Sequence, residues 1–434
     1  MTGGDEPPGD VFGHHDFTRF WVAETVSGFG SYVTTMALQV LVVLSLHGSA
    51  GDVGLLNAAR WTPYLLLGLV VGSLVERRRR RPVLVVTDLA RAVLLLSIPV
   101  LWMVDDLSLP TLLVVMVVFG TMSLLNDAAS QSFLPRLVPG PSLLAANARL
   151  DQSSSVAQTS GPVVAGGLVT AIGAPAAVLV DAVSYLVSAL ATASIRTPEP
   201  TPVPDGTPRH LRREIGEGLR WIYRHRMLAP VVLSTHGWFL CNSIVTTVFV
   251  PFALLRLGLS PFELGVAFAA AGVGGLLGSS VSTRVGMRWG AGGTVIACRA
   301  VMPLAWAVIV IAPVQNHGHA SVLALVLAGG GQFLIGLAMG VENANEMAYQ
   351  QAITPDELQG RMNTTRRSLN RAMIVIGAPL GGLLADAVGY RPVMVVAIVG
   401  FTLVAGGLAA SPFRHARHGD SQGLVGLQER LGGG

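Results

Sequence analysis

Between Phe17 and Ala410 the chain is a succession of apolar stretches, each about as long as the ~20 residues a helix needs to cross a hydrocarbon core. Read against turn and charge signals, they give twelve spans at about 17–46, 52–75, 83–104, 109–134, 153–172, 174–195, 228–255, 262–283, 293–313, 321–348, 369–388 and 391–410. The fifth and sixth are parted only by Gly173-Ala174-Pro175. Charged residues make up 12% of the chain, about half the ~25% that a water-facing surface carries. The expectation is an all-α membrane protein of twelve transmembrane helices lying in the lipid bilayer.

The arginines orient it. All 29 basic Lys+Arg positions are arginine. With the N-terminus inside, the inner loops and tails collect nearly all of them, including the run Arg77–Arg81, and the outer loops hold only Arg256 and Arg391. This is the positive-inside distribution, and it makes an even number of spans with both termini in the cytoplasm self-consistent. A nucleic-acid reading of the arginine run fails for want of a basic domain around it. Arg60, Arg91 and Arg299 are left at membrane depth. Cys241 and Cys298 fall in apolar segments and read as packed thiols rather than a disulfide or a metal site. The polar, acidic N-terminus is not a cleavable signal.

Five sections follow: a cytoplasmic tail (1–16), a six-helix bundle (17–195), a cytoplasmic linker (196–227), a second six-helix bundle (228–410) and a cytoplasmic tail (411–434). The linker opens with the proline-rich TPEPTPVPDGTPR. In its second part Leu211, Ile215, Leu219 and Ile222 recur at helical spacing, which predicts a helix lying on the inner membrane surface. The final GDSQGLVGLQERLGGG reads as a loose tail. The chain also repeats itself: SYVTT (31–35) returns as SIVTT (243–247), LARAV (89–93) as ACRAV (297–301), and Pro139 and Asn147 as Pro355 and Asn363. Repeats in one order, six spans apart, describe two parallel halves.

Ionisable groups within a membrane are costly and face the bundle interior. In span one, Glu24, Ser27, Gly28, Ser31, Thr35 and Gln39 share a stripe toward a central cavity, with Glu24 about 8 Å deep by helical rise. Glu24 is either a proton-coupling or substrate-contacting acid or a paired structural one, and His236 is its counterpart in the repeat. The polar cavity set is completed by Asn57, Arg60 and Tyr64 in span two and Asn242 in span seven; Arg60 needs a buried anion, and Glu24 is the expected partner. Asp88 and Arg91, three apart, share one face of span three and either serve the cytoplasmic gate or form a structural pair. Ser123, Asn126, Asp127 and Ser130 in span four form a stripe echoed by Glu342, Asn345, Glu346 and Tyr349 in span ten. These acids either attract cationic substrate and relay protons or cap a gate against Arg136, Arg361 and Arg366.

Several motifs together, VSGFGS, the stretch from GSAGDVGLLNAARW to ERRRRRPVL, TDLARA, SQSFLPRLVP, GPVVAGGLV and ITPDELQGRMN, resemble those of the major facilitator superfamily. The resemblance spans about residues 17–410 and is to the drug:proton antiporter branch that includes macrolide-efflux and enterobactin-exporter-like proteins. In that family the loop between spans two and three reads Gly-x-Leu-x-Asp-Arg-x-x-Arg-Arg. Gly72, Leu74, Glu76, Arg77, Arg80 and Arg81 occupy those places here, with Glu76 in place of Asp. The resemblance implies a cytoplasmic gate in which such charges pair across the two halves, with a topology anchor at anionic lipid as the plainer reading. Gly161, Pro162, Gly166 and Gly167 in span five, echoed by Gly377, Pro379, Gly381 and Gly382 in span eleven, resemble the antiporter Gly-Pro motif; ordinary small-residue packing is the alternative. Family members more often carry an amide at the place of Glu24, and the arginine motif some proton antiporters carry in span four is absent.

The family resemblance implies an exporter of small amphipathic molecules in a bacterial cytoplasmic membrane, working by alternating access against inward protons, as a monomer and with no cofactor but the proton. An importer or facilitator on the same fold is the second reading; a membrane sensor or enzyme is the third, against which no P-loop, H-E-x-x-H or G-x-S-x-G occurs.

Overall fold

The computed structural model describes residues 11–76, 78–199, 211–315 and 320–418, and every regular element among them is helical. The chain divides into two compact units, Met1–Thr207 and Pro208–Gly434. The first holds α1 (His15–Val40), α2 (Ala50–Glu76), α3 (Arg80–Met103), α4 (Leu109–Leu137), α5 (Leu143–Ile172) and α6 (Ala174–Ala193). The second holds a short α7 (Leu211–Arg224), then α8 (Leu228–Pro251), α9 (Pro261–Val310), α10 (Val322–Ala352), α11 (Asp356–Val388) and α12 (Tyr390–Ala410). The 50 residues of α9 are broken at Gly290, whose φ of 74° and ψ of 168° no helix permits. Its limbs, 261–289 and 291–310, are two rods, so among the described residues each unit contains six rods of membrane length, twelve together.

The helices are built inside out relative to a water-soluble bundle. On α3 the buried residues are Arg80, Leu84, Thr87, Asp88, Arg91, Leu95 and Ile98, while Val86, Leu89, Val93, Leu96 and Val100 are exposed. An outer face of that composition is stable only against lipid. Polar groups turn inward because only there do they find partners.

Each unit repeats the local devices of the other. α1 and α8 both widen at their ends into a five-residue π turn, Leu41–Ser45 and Phe252–Arg256. α5 passes to α6 through Gly173 at φ 82°, and α11 to α12 through Gly389 at φ 93°. Serines start three of the rods: Ser260 forms a reciprocal capping box with Glu263, and Ser108 and Ser321 cap α4 and α10.

Hydropathy misplaced two helix starts. α5 begins at Leu143 rather than near 153, and α11 at Asp356 rather than near 369. Apolar content marks where lipid ends, whereas the backbone stays helical as long as its own bonds and its neighbours hold it. In α5 the extension is held by Ala146, fully buried, with Leu143 and Leu150 packed on the same cluster; in α11 it is held by Met362, also fully buried.

Of the four residues that predict a membrane-surface helix, Ile222 of α7 is fully buried in one cluster with Leu228, Val231, Tyr349, Met362 and Phe413, inside its own bundle. Leu211 and Ile215 have side chains outside the described residues. So do the N-terminal tail to 10, the proline-rich linker at 200–210 and the tail from 419. Residues just before that tail are packed: Phe413 is fully buried, and Gly292 N–H donates to Ala416 O at 3.0 Å, closing the break in α9.

Candidate functional site

In the first unit, α3 supplies the centre. Asp88 pairs with Arg91 one turn on, as their spacing predicts. The carboxylate is completed by two other helices: Ser188 Oγ of α6 donates to Oδ2 at 2.7 Å and Asn126 Nδ2 of α4 to Oδ1 at 3.1 Å. Arg91 lies over the ring of Tyr185 at 4.1 Å, and the Tyr185 hydroxyl meets Ser31 Oγ of α1 at 2.9 Å. A buried charge is tolerable when paired and fully hydrogen-bonded, and this pair draws on four helices.

Glu24 stands beside this cluster. It is half-buried, and Ser130 Oγ of α4 donates to its Oε1 at 3.0 Å. Asp88, Arg91 and Asp127 act on it electrostatically. The expected partnership with Arg60 is not formed. Arg60 Nη1 donates to Thr35 Oγ1 at 2.6 Å, and its guanidinium lies 5.7 Å from the Trp61 ring and 5.8 Å from that of Phe119. From α2 the arginine reaches the upper part of α1, eleven residues beyond Glu24. Tyr64 of the cavity set donates to Asp127 Oδ2 at 2.7 Å, which joins the span-four stripe to the span-two residues. Ser27 donates to the Glu24 carbonyl at 3.3 Å, and Asn57 is half-buried on α2.

At the start of α3 the expected charge latch has another partner. Glu199, just beyond α6, accepts from the backbone N–H of Arg80 at 2.5 Å and of Arg81 at 3.2 Å, and its Oε1 lies 3.7 Å from Arg80 Nη1. Arg81 donates to Ala193 O at the end of α6. A carboxylate on the first free amides of a helix also meets the positive end of its dipole. Asp16 makes a second clasp on the same segment, accepting from Arg196 N, Thr197 N and Thr197 Oγ1 at 3.0, 2.7 and 2.7 Å. Gly72 and Glu76 close α2 and Arg361 lies in α11, but their side chains, and Arg77 as a whole, fall outside the described residues.

The second unit builds its centre differently. Arg299, on the 291–310 limb of α9, pairs with Glu342 at 2.7 Å and Glu346 at 3.0 Å, both from α10, and donates to Thr235 Oγ1 of α8 at 3.1 Å. Thr235 in turn donates to Glu346 Oε1 at 2.9 Å, as does Gln350 at 2.8 Å. Arg366 of α11 adds a second cation 3.7 Å from Glu346, so two guanidinium groups balance two carboxylates. Sequence reasoning found the two glutamates but missed Arg299 as their partner.

His236 is buried and bonded at both ring nitrogens, to Asn370 Oδ1 at 2.7 Å and to the Tyr223 hydroxyl at 2.8 Å. An amide oxygen only accepts, so Nδ1 carries the proton and Nε2 accepts from Tyr223. His236 thereby joins α7, α8 and α11. Asn242, farther along α8, is half-buried. Outside the membrane, burial raises the Tyr223 hydroxyl above its usual value and lowers His225 below 6.5.

The Gly-Pro elements occupy matched places inside each unit. A methyl group at Gly161 would stand 2.7 Å from Tyr32 Cβ, and one at Gly377 2.9 Å from the Leu240 carbonyl. Gly161 thus seats α5 on α1, and Gly377 seats α11 on α8, with Gly166 buried and Pro162 and Pro379 half-buried nearby.

Asp181 of α6 was passed over entirely. The signal was present: Asp181, Ser184, Tyr185 and Ser188 recur at i, i+3, i+4 and i+7, a polar stripe in an otherwise apolar helix, and all four are buried.

The sequence profile of the Major Facilitator Superfamily matches residues 20–364. The multidrug efflux pump Tap of Mycolicibacterium fortuitum is 27% identical over 379 residues, covering 85% of this chain and 89% of that protein. Macrolide efflux protein A of Streptococcus pyogenes is 22% identical over 384 residues, 86% of this chain and 90% of its own. Among solved structures, a bacterial homologue of the iron transporter ferroportin in its inward-facing state superposes with a TM-score of 0.73 at 14% identity, covering 91% of this chain and 98% of that one. The nucleoside transporter NupG does so at 0.72 and 9% identity, over 91% and 98%; at such identities the likeness is one of fold alone. The chain belongs to the Major Facilitator Superfamily and is a membrane transporter, not an enzyme.

Proposed function

We propose that this transporter exports small amphipathic molecules across the bacterial cytoplasmic membrane in exchange for inward protons, by alternating access, with both chain ends in the cytoplasm. The names of its relatives, a multidrug efflux pump and a macrolide efflux protein, support the direction and the cargo class. One observation carries the coupling: Glu24 is a half-buried membrane carboxylate bonded by a neutral hydroxyl, Ser130, with no basic side chain in ion-pair contact among the described residues. Asp88, Glu342 and Glu346 each have an arginine; Glu24 does not. It is therefore an acid free to exchange its charge for a proton without stranding a cation. Protonated, it loses its demand for water and lets its surroundings close; deprotonated, it offers a negative site to an amphipathic cation. No cofactor enters this reading, the proton gradient supplies the energy, and one chain suffices.

The test uses inside-out vesicles with an acidic interior and a pH-sensitive dye. Adding erythromycin should release protons from vesicles holding the wild-type chain and not from those holding Glu24→Gln. No drug-dependent proton movement in wild type overturns proton exchange; undiminished movement in Glu24→Gln removes Glu24 from it.

A further inference from the structure

Asp181 is fully buried, and by helical rise it lies about 10 Å from the start of α6, well within the span. Its neighbours on the stripe are all engaged: Ser188 with Asp88, and Tyr185 with Ser31 and Arg91. Asp181 itself has one donor, Ser184 Oγ at 2.8 Å on Oδ1. Its Oδ2 has no hydrogen-bond partner among the described residues. On the facing helix, α1, Thr34 Oγ1 also lacks a partner, and its hydroxyl acts on Asp181. One turn earlier comes Gly30, where a methyl group would stand 2.9 Å from Asp181 Cγ, so the absent side chain is what admits the carboxyl between the helices.

The charged and titratable groups around it are few. α3 brings Arg91, already held by Asp88. α2 brings Arg60, already held by Thr35, the residue next to Thr34. Tyr185 follows on α6 itself. α1 carries Glu24 six residues before Gly30, and α5 has its charges, Arg149 and Asp151, only in its first turns. Both arginines reach Asp181 through their fields, and neither forms an ion pair with it.

A fully buried carboxylate with one bare oxygen and no paired cation is a costly anion, and a proton on that oxygen supplies the missing interaction. Resting on the proton-exchange reading above, we propose that Asp181 is a second proton-binding carboxylate of the transport cycle, whose charge Arg60 neutralises once the proton has left. On release the Oδ2–H bond breaks, the electron pair stays on the carboxylate, the proton passes to water in the opened pathway, and Arg60 turns from Thr35 to Asp181. Two acids would then titrate on neighbouring helices: Glu24 near the inner end of α1 and Asp181 deeper, on α6.

Infrared difference spectra of the purified transporter in lipid nanodiscs, recorded across a pH titration, read protonated carboxyls directly. The expected result is a protonated-carboxyl band in wild type that is lost in Asp181→Asn. In Thr34→Val, an isosteric change that leaves every titratable group in place, the band should shift in frequency. Erythromycin-triggered proton release in inside-out vesicles should fall in Asp181→Asn. A band unchanged in both variants, or undiminished proton release in Asp181→Asn, overturns the assignment and leaves Glu24 as the coupling acid. Absence of release from wild type defeats the exchange reading itself, and with it any place for Asp181 in the cycle.

Discussion

Arg91 and Arg299 hold the same place in the two repeats, within LARAV and ACRAV, yet take their carboxylates from different sources. Arg91 is served by Asp88 on its own helix; Arg299 is served by Glu342 and Glu346 across on α10. The first pair stays intact however α3 moves. The second binds the 291–310 limb of α9 to α10, so any motion between those rods must break it or carry both together.

Removing Arg299 strands the buried Glu342 and leaves Glu346 with Arg366 alone. Arg299→Leu is expected to cost about 3–5 kcal/mol, read as a lower melting midpoint in detergent. Adding Glu342→Gln should restore most of it, because the uncompensated charge goes too while Glu346 keeps Arg366. A double variant no more stable than Arg299→Leu would show that the ion cluster is not what the arginine supports.

Glu199→Ala and Asp16→Asn should each loosen the segment from Arg196 to Glu199. Loss of a helix cap costs about 1 kcal/mol, which makes tryptic cleavage after Arg196 about fivefold faster when local opening limits it. Unchanged cleavage in both variants would mean that neither carboxylate holds the segment.

Tyr223→Phe removes the hydroxyl that α7 offers to His236 and should weaken the docking of α7 by about 0.5–1.5 kcal/mol. Hydrogen exchange at the amides of α7 should quicken, while α10 stays protected. Equal protection in variant and wild type would mean that Ile222 packing alone seats the helix.

His225 Nδ1 accepts from Met227 N at 3.2 Å and Leu228 N at 3.3 Å, capping α8, which requires the neutral ring. Burial holds its folded value below 6.5. Its contribution is therefore present above that unfolded value and lost as pH falls through the lower folded one. Between about pH 7.5 and 5, the melting midpoint of His225→Gln, which keeps an acceptor but cannot titrate, should fall less steeply than that of wild type. Parallel curves would exclude the cap as a titrating element.

The rods were legible because lipid leaves a backbone little choice but helix, and apolar length then counts them. Pairs within one helix, such as Asp88–Arg91, were legible too, since spacing alone sets their face. Partners between helices were not. A polar stripe announces which face of a membrane helix turns inward, but it does not report which neighbouring helix that face will meet or at what height. Arg60 was assigned to Glu24 on that missing information and is bonded to Thr35 instead. Glu199 was hidden for another reason: a carboxylate among prolines reads as linker until its position beside the amides of α3 is known. Asp181 was the avoidable miss, with its periodic hydroxyl neighbours in plain view.

The wide turns that close α1 and α8 have a consequence for how those rods end. A π turn is an α-helix that has accepted a surplus residue. Both turns are five residues long and stand at corresponding points, so the same surplus shifts the face that the last side chains of the first membrane rod present in each unit.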